Sequence, residues 1–153
     1  MLLLTFSHMA ALVFGFASGI YLLPILAAPP APTAAAVQQA AQGAAYHAEF
    51  KRNLRGSDAL HWGDGKVSLS PAAVSFAGHL APGPAYRLYL VPRFVDTGEA
   101  FLRVKGKALA VGDIKTFDNF IAPLPPGTRL EDYDSVVVWC EAFSQFITAA
   151  RYR

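Results

Sequence analysis

The first 48 residues of this 153-residue chain contain no Lys, Arg, Asp or Glu; the first charged side chain is Glu49. That segregation constrains the architecture more than any motif does. Within the uncharged part, Met1 to Ala28 is almost wholly apolar, its only polar side chains being Thr5, Ser7, His8, Ser18 and the Tyr21 hydroxyl. A helix needs roughly 20 apolar residues to cross the hydrocarbon core of a bilayer, and Met9 to Ala28 alone supplies them. A cleaved signal peptide has a basic n-region and an apolar core of about 7–15 residues. Here the basic residues are missing and the apolar run is longer, so residues 1–28 read as a transmembrane anchor or an uncleaved signal. Ala27 and Ala28 still offer the small residues beside which a signal is cut. Gly15 and Gly19 form a Gly-x-x-x-Gly pair, which can bring two helices close, but glycine is common in membrane helices and oligomeric state stays open. Neither flank carries nearby basic residues to set orientation. A short amino terminus ahead of the main domain places that domain outside the cytoplasm, in a periplasmic or extracellular setting.

Residues 29–45 read as a Pro/Ala-rich linker. Pro29, Pro30 and Pro32 end the helix and favour extended backbone. Thr33 to Ala45 has Val37 as its one large apolar residue; its alanines favour a stray helical turn but leave little to pack. Its expected role is to hold the domain away from the membrane surface. All the formal side-chain charge lies beyond it, as 13 basic against 11 acidic residues and a net charge of +2. No basic run marks a nucleic-acid surface.

From Tyr46 to Arg153 the pattern changes to short apolar runs punctuated by Gly, Pro and Asp, enough for one modest core. The strongest strand candidate is Asp134-Ser135-Val136-Val137-Val138-Trp139-Cys140-Glu141-Ala142-Phe143. At a side-chain period of two, Val136, Val138 and Cys140 share one face and Val137, Trp139 and Glu141 the other. Glu141 seeks water, so the cysteine face is expected to be the core face. Ala85 to Val91 is the second strong strand. Weaker candidates are Ala48–Lys51, Leu60–Trp62, Lys66–Leu69, Ala73–Phe76, Phe101–Val104, Ala108–Val111, Ile114–Phe117 and Phe120–Leu124. Leu60–Trp62 and Lys66–Leu69 would form a hairpin around Gly63-Asp64-Gly65. Leu130–Tyr133 fits one helical turn, and Phe143–Tyr152 a closing strand, although Phe143, Phe146 and Ile147 also fit helical spacing. Eight to ten short strands indicate an all-β fold, an antiparallel β-sandwich or barrel-like domain behind one N-terminal transmembrane helix.

The order of residues from Asp134 through Trp139-Cys140-Glu141-Ala142-Phe143, with Phe146 and Ala149-Ala150, resembles the closing motif of the DM-thirteen domain. That domain is the predicted electron-transfer domain of Skeletor-like and DOMON-associated proteins. Gly83-Pro84 leading into Tyr86–Leu90, Asn119-Phe120 and Leu124-Pro125 ahead of Tyr133 fit the same pattern, and the resemblance covers about residues 48–153. One position departs: the family often has Asp after Gly-Pro, where this chain has Ala85. The resemblance implies a β-sandwich-like fold and a redox role for the single cysteine, as a free thiol or as the holder of a prosthetic group such as haem. It also implies a redox partner protein.

Cys140 is the only cysteine, so it cannot form an internal disulfide. As a redox thiol it needs access and nearby positive charge, whereas its neighbours in sequence are Trp139 and Glu141. The opposing reading is a buried, inert, packed cysteine. For haem, a thiolate can serve alone or with a histidine, and His61 and His79 are the candidates within the body of the domain. The four histidines have none of the short paired spacings of a zinc site, so no metal is expected. No nucleophile elbow or phosphate loop is present. Two functions follow: a membrane-anchored extracytoplasmic domain with a redox or electron-transfer role centred on Cys140, or a non-catalytic module that binds a ligand or protein and merely packs the cysteine.

Overall fold

The computed structural model describes residues 1–153. The three-valine run dictates the centre of the fold. It forms β7 (Ser135–Cys140), and every residue of that strand is buried. β7 lies between β4 (Tyr86–Val91) and β8 (Gln145–Arg151), and β4 in turn pairs with β5 (Leu109–Ile114). The second sheet has the order β1 (Tyr46–Phe50), β2 (Gly63–Leu69), β3 (Ala73–Leu80), β6 (Asp118–Pro123). All pairings are antiparallel. The two four-stranded sheets form an all-β sandwich, preceded by the long apolar helix α1 (Leu2–Ala27), which is long and apolar enough to cross a membrane.

The core between the sheets follows the alternation. Val136, Val138 and Cys140 meet Leu88 and Leu90 of β4, and Val67, Val74 and Phe76 of the opposite sheet. The other face of β7 differs from expectation, because it is buried as well. Val137 and Trp139 join Tyr89, Phe101 and Phe146 in a second apolar cluster. The reason is the connection between β4 and β5, which folds back over the outer face of the sheet. In it Phe101 was expected in a strand but lies in the short helix α3 (Gly98–Leu102), whose first turn is capped by Thr97 Oγ1 on Ala100 N–H at 3.2 Å. Phe101 stacks on Trp139 with ring centroids 4.8 Å apart. Only Glu141, just past the strand, reaches water on that side.

Other boundaries shift too. Leu60–Trp62 forms no strand, and Gly63-Asp64-Gly65 is not a turn but the start of β2. Gly65 opposes Gly78 across β2 and β3, at φ +141° and +158°. Residues 29–45 are not a free spacer either. They carry the helix α2 (Ala34–Ala40), N-capped by Thr33, with Val37 buried. Asn119 Nδ2–H donates to the Pro32 carbonyl at 3.2 Å, and Ala45 N–H to Leu69 at 2.8 Å. One valine in a stretch of alanines is enough to fasten the segment when a polar side chain on the sheet takes its backbone.

Gly65 is where backbone conformation and space act together, since an added Cβ would lie 2.3 Å from the Ala77 carbonyl oxygen. Gly65→Ala is expected to cost about 1–3 kcal/mol, read as a lowered thermal midpoint of the full chain in detergent. Gly112→Ala, which meets nothing within 4 Å, serves as the mild comparison.

Candidate functional site

Cys140 ends β7 at the edge of the core, beside the turn that leads to β8, and is 2% exposed. Its partner across the sheet is Tyr86, the first residue of β4. The chain just before Tyr86 is Pro82-Gly83-Pro84-Ala85, and the two prolines keep it off the sheet ladder. This segment closes over the cysteine. The Cys140 thiol donates to the Pro84 carbonyl at 3.0 Å, and Glu141 N–H donates to the Ala85 carbonyl at 3.0 Å. The Tyr86 hydroxyl donates to the Ala81 carbonyl at 2.9 Å, which fixes the other side of the same loop.

Burial pushes the Cys140 thiol above its ordinary pKa. The backbone N–H groups of Phe143 and Ala142 point at the sulfur and oppose that rise, while the Glu141 charge adds slightly to it. The acid next in sequence is thus a minor influence, because its side chain leaves on the opposite face. There Glu141 accepts from the Tyr89 hydroxyl and, at 2.7 Å, from Lys105 Nζ. Desolvation works against the Glu141 carboxylate, but the bonds from Lys105 and Tyr89 outweigh it and hold the carboxyl below its usual range. Tyr89 moves the other way, pushed up to about 12 by burial and by that carboxylate. The cation nearest the motif serves the glutamate and not the thiol.

The sulfur nevertheless borders a hollow. A cavity of about 310 Å³ is lined by Cys140, Tyr86, Ile147, Pro84, Phe143 and His61, among others. Two of the three sequence candidates therefore share one wall system. His61 is reached through a loop whose shape Asp58 sets: its Oδ1 accepts from the backbone N–H of Leu60 and His61 at 2.7 and 2.8 Å. The same carboxylate accepts from His61 Nδ1 at 2.8–2.9 Å, and the His61 contact holds the Asp58 pKa below its ordinary value. With Nδ1 committed to Asp58, Nε2 is the ring nitrogen left for a ligand. Asp58 is the residue of this candidate site that sequence reasoning passed over; the signal is its spacing of three from His61, the Asx-turn pattern in which a carboxylate bonds backbone just ahead of it.

His79 is not brought to this site. It lies on β3 in register with Asp118 of β6, and its Nδ1 bonds that carboxylate at 2.5 Å with both side chains largely exposed. No three His, Cys, Asp or Glu side chains come together in a form that holds a metal ion.

The Ala85 departure has a physical reading. Ala85 adopts φ +53°, the left-handed region that Asp and Asn tolerate better than Ala. An acid at this position would ease the backbone here, and whatever further role it has is absent from this chain. Ala85→Gly is accordingly expected to stabilise the full chain by roughly 1 kcal/mol, seen as a raised thermal midpoint, and Ala85→Asp to shift it in the same direction. A drop in both variants would contradict this account of the loop over Cys140.

The Electron transfer DM13 family model matches residues 53–152. No curated protein and no solved structure matches the chain. The matched region runs from the loop before Asp58 to the end of the sandwich, and includes both the Trp139-Cys140 strand and the Gly83-Pro84 loop. The chain belongs to the DM13 electron-transfer domain family.

Proposed function

We propose that this protein is a membrane-anchored, extracytoplasmic electron-transfer domain whose redox centre is Cys140. Residues 1–28 serve as the anchor, 29–45 as a fastened connector and 46–153 as the redox domain. Family membership supports the redox role, and the apolar length of α1 supports the anchor. The observation that carries the reading is the position of the Cys140 sulfur: it is shut off from bulk water yet forms part of the wall of a cavity shared with His61.

Haem does not fit the site as it stands. Ligand cavities span about 300–1,000 Å³, and a macrocycle needs far more than the low end of that range. The cavity has about 310 Å³ and no Lys or Arg on its walls to pair with propionates. The thiol itself is the better centre. It stays protonated at neutral pH, bonded to Pro84, and the amides of Ala142 and Phe143 are already placed to hold charge on sulfur once the proton leaves. In the exchange Cys140 gives one electron and its thiol proton to a redox partner protein, becoming a thiyl radical, and recovers the thiol when the partner returns both.

A second reading has its own support. The same burial and raised pKa suit a packed residue in a binding module, with the cavity as the binding site and no redox role for Cys140. Thiol labelling of the folded full chain in detergent separates the two. The redox reading expects a small neutral maleimide to modify Cys140 through the cavity while a bulky charged reagent does not. Because the folded pKa is raised, the rate should keep climbing as pH rises above the ordinary thiol value. Complete resistance to the small reagent, lost only on unfolding, would leave the binding module.

A further inference from the structure

Two hollows adjoin at the end of the sandwich next to α1. The cavity of Cys140 and His61 is closed on one side by Ile20 and Tyr21 of α1. An open cleft of about 530 Å³ then runs between α1 and the β7–β8 turn, with Gly15, Phe16, Gly19 and Leu23 on one side and Ala142 and Phe143 on the other. Ile20, Pro84 and Phe143 belong to both walls, so the cleft leads into the cavity.

This end of the domain faces the root of the anchor. The connector is fastened by Val37, by the Asn119–Pro32 bond and by Ala45 on Leu69, so no slack separates helix from sandwich. Ile25, Ala28 and Pro29 share a recess with Trp62 and Phe117. Three large apolar side chains of the β domain are exposed, and two of them, Leu60 at 59% and Phe143 at 56%, line the Cys140 cavity. Apolar residues at one end, beside a helix fit to cross a bilayer, mark the face that meets the lipid.

The walls also select the occupant. Neither hollow has a Lys, Arg, Asp or Glu on it, and in the adjoining recess that shares Leu23, Pro24 and Pro84 the charges of Arg87 and Lys115 are balanced by Asp113 and Glu141, so a phosphate headgroup or a fatty-acid carboxylate finds no net counter-charge. The polar groups offered suit a small neutral head: His61, with Nε2 free because Nδ1 is bound to Asp58, the Gln145 amide and the Tyr21 hydroxyl. His61 Nε2 can accept from a hydroxyl when the ring is neutral and donate to a carbonyl when it is protonated. Below the head, the cleft offers an apolar trough along α1.

We infer that the cavity and cleft together bind a neutral, lipid-soluble ring compound of the quinone class, with its ring between His61 and Cys140 and its tail along the Gly15–Gly19 side of α1. The choice of class rests on the electron-transfer reading; the site rests on the geometry alone.

The test uses the full chain in phosphatidylcholine nanodiscs, with a decyl-substituted benzoquinone and its quinol as probes, titrated calorimetrically against protein-free nanodiscs. Saturable binding of one probe per chain is expected. Gly19→Leu fills the cleft from a position with open space around it, and should weaken decyl-quinone binding at least tenfold while leaving tail-less benzoquinone unaffected. His61→Phe should weaken the quinol at least tenfold, and unchanged thermal midpoints show that both variants are folded. Heat indistinguishable from protein-free nanodiscs overturns the inference, as does equal binding of the decyl probe by Gly19→Leu. So does a site that saturates with oleate in preference to the quinone. Maleimide labelling of Cys140 without quinone binding sinks this inference and spares the redox reading; quinone binding with an inert Cys140 does the reverse.

Discussion

Everything in the domain leans on the burial of β7 from both sides. A strand of Ser, three Val, Trp and Cys has no face to give to water, so two separate apolar layers must be found for it. The opposite sheet supplies one, and the returning chain between β4 and β5 supplies the other through Phe101. With both faces covered, the strand's end is fixed, and with it the position of Cys140 against the Gly83-Pro84-Ala85 loop. The thiol's environment is thus inherited from the packing of its strand. Its raised pKa and its bond to a carbonyl are what any group acquires at the rim of such a core.

Much of this was legible from residue order. The fold class, the approximate places of the eight strands, the turn at Leu130 and the inward direction of Cys140 follow from period-two alternation and turn residues, but Gly112-Asp113, expected to separate two strands, lies inside β5, and Lys115–Phe117 is not strand. The outer layer on β7 was missed because Glu141 was given the vote on which face meets water, although Trp139 and Val137 precede it on the same side. A continuous apolar run marks a strand buried on both faces. Phe101–Val104 misled for a related reason: its residues favour strand, but Thr97 starts a helical turn just upstream and the aromatic is spent on covering Trp139. The double-glycine stretch at Gly63-Asp64-Gly65 carries turn composition, yet there it serves close passage of backbone between β2 and β3.

The candidate site was half legible. Cys140 stands out by its uniqueness and its motif, and His61 by being one of few histidines. Their meeting across a cavity depends on a loop 80 residues earlier in the chain, whose path is set by Asp58 and the backbone it caps. No periodicity reports such a loop. His79 looked equivalent to His61 in sequence, but strand register assigns it to Asp118 at the surface. The site also contains residues from α1, which a reading by separate segments assigns to a different compartment of the molecule.

The fastened connector has a consequence for how this domain meets other molecules. A flexible tether lets a domain sweep a volume that grows with linker length, so that it can search for partners above the membrane. Here the tether is consumed by its own docking on the sheet, and the sweep shrinks to the tilt of one helix. A domain held in this way does not go out to its partners. With α1 in a bilayer, as proposed, they reach it by lateral diffusion within that bilayer, or by binding the end of the sandwich that points away from the lipid. Meeting frequency is then set by surface density in two dimensions, and lengthening the chain by a few residues after Ala28 would change the geometry of the encounter without altering a single residue of the sandwich.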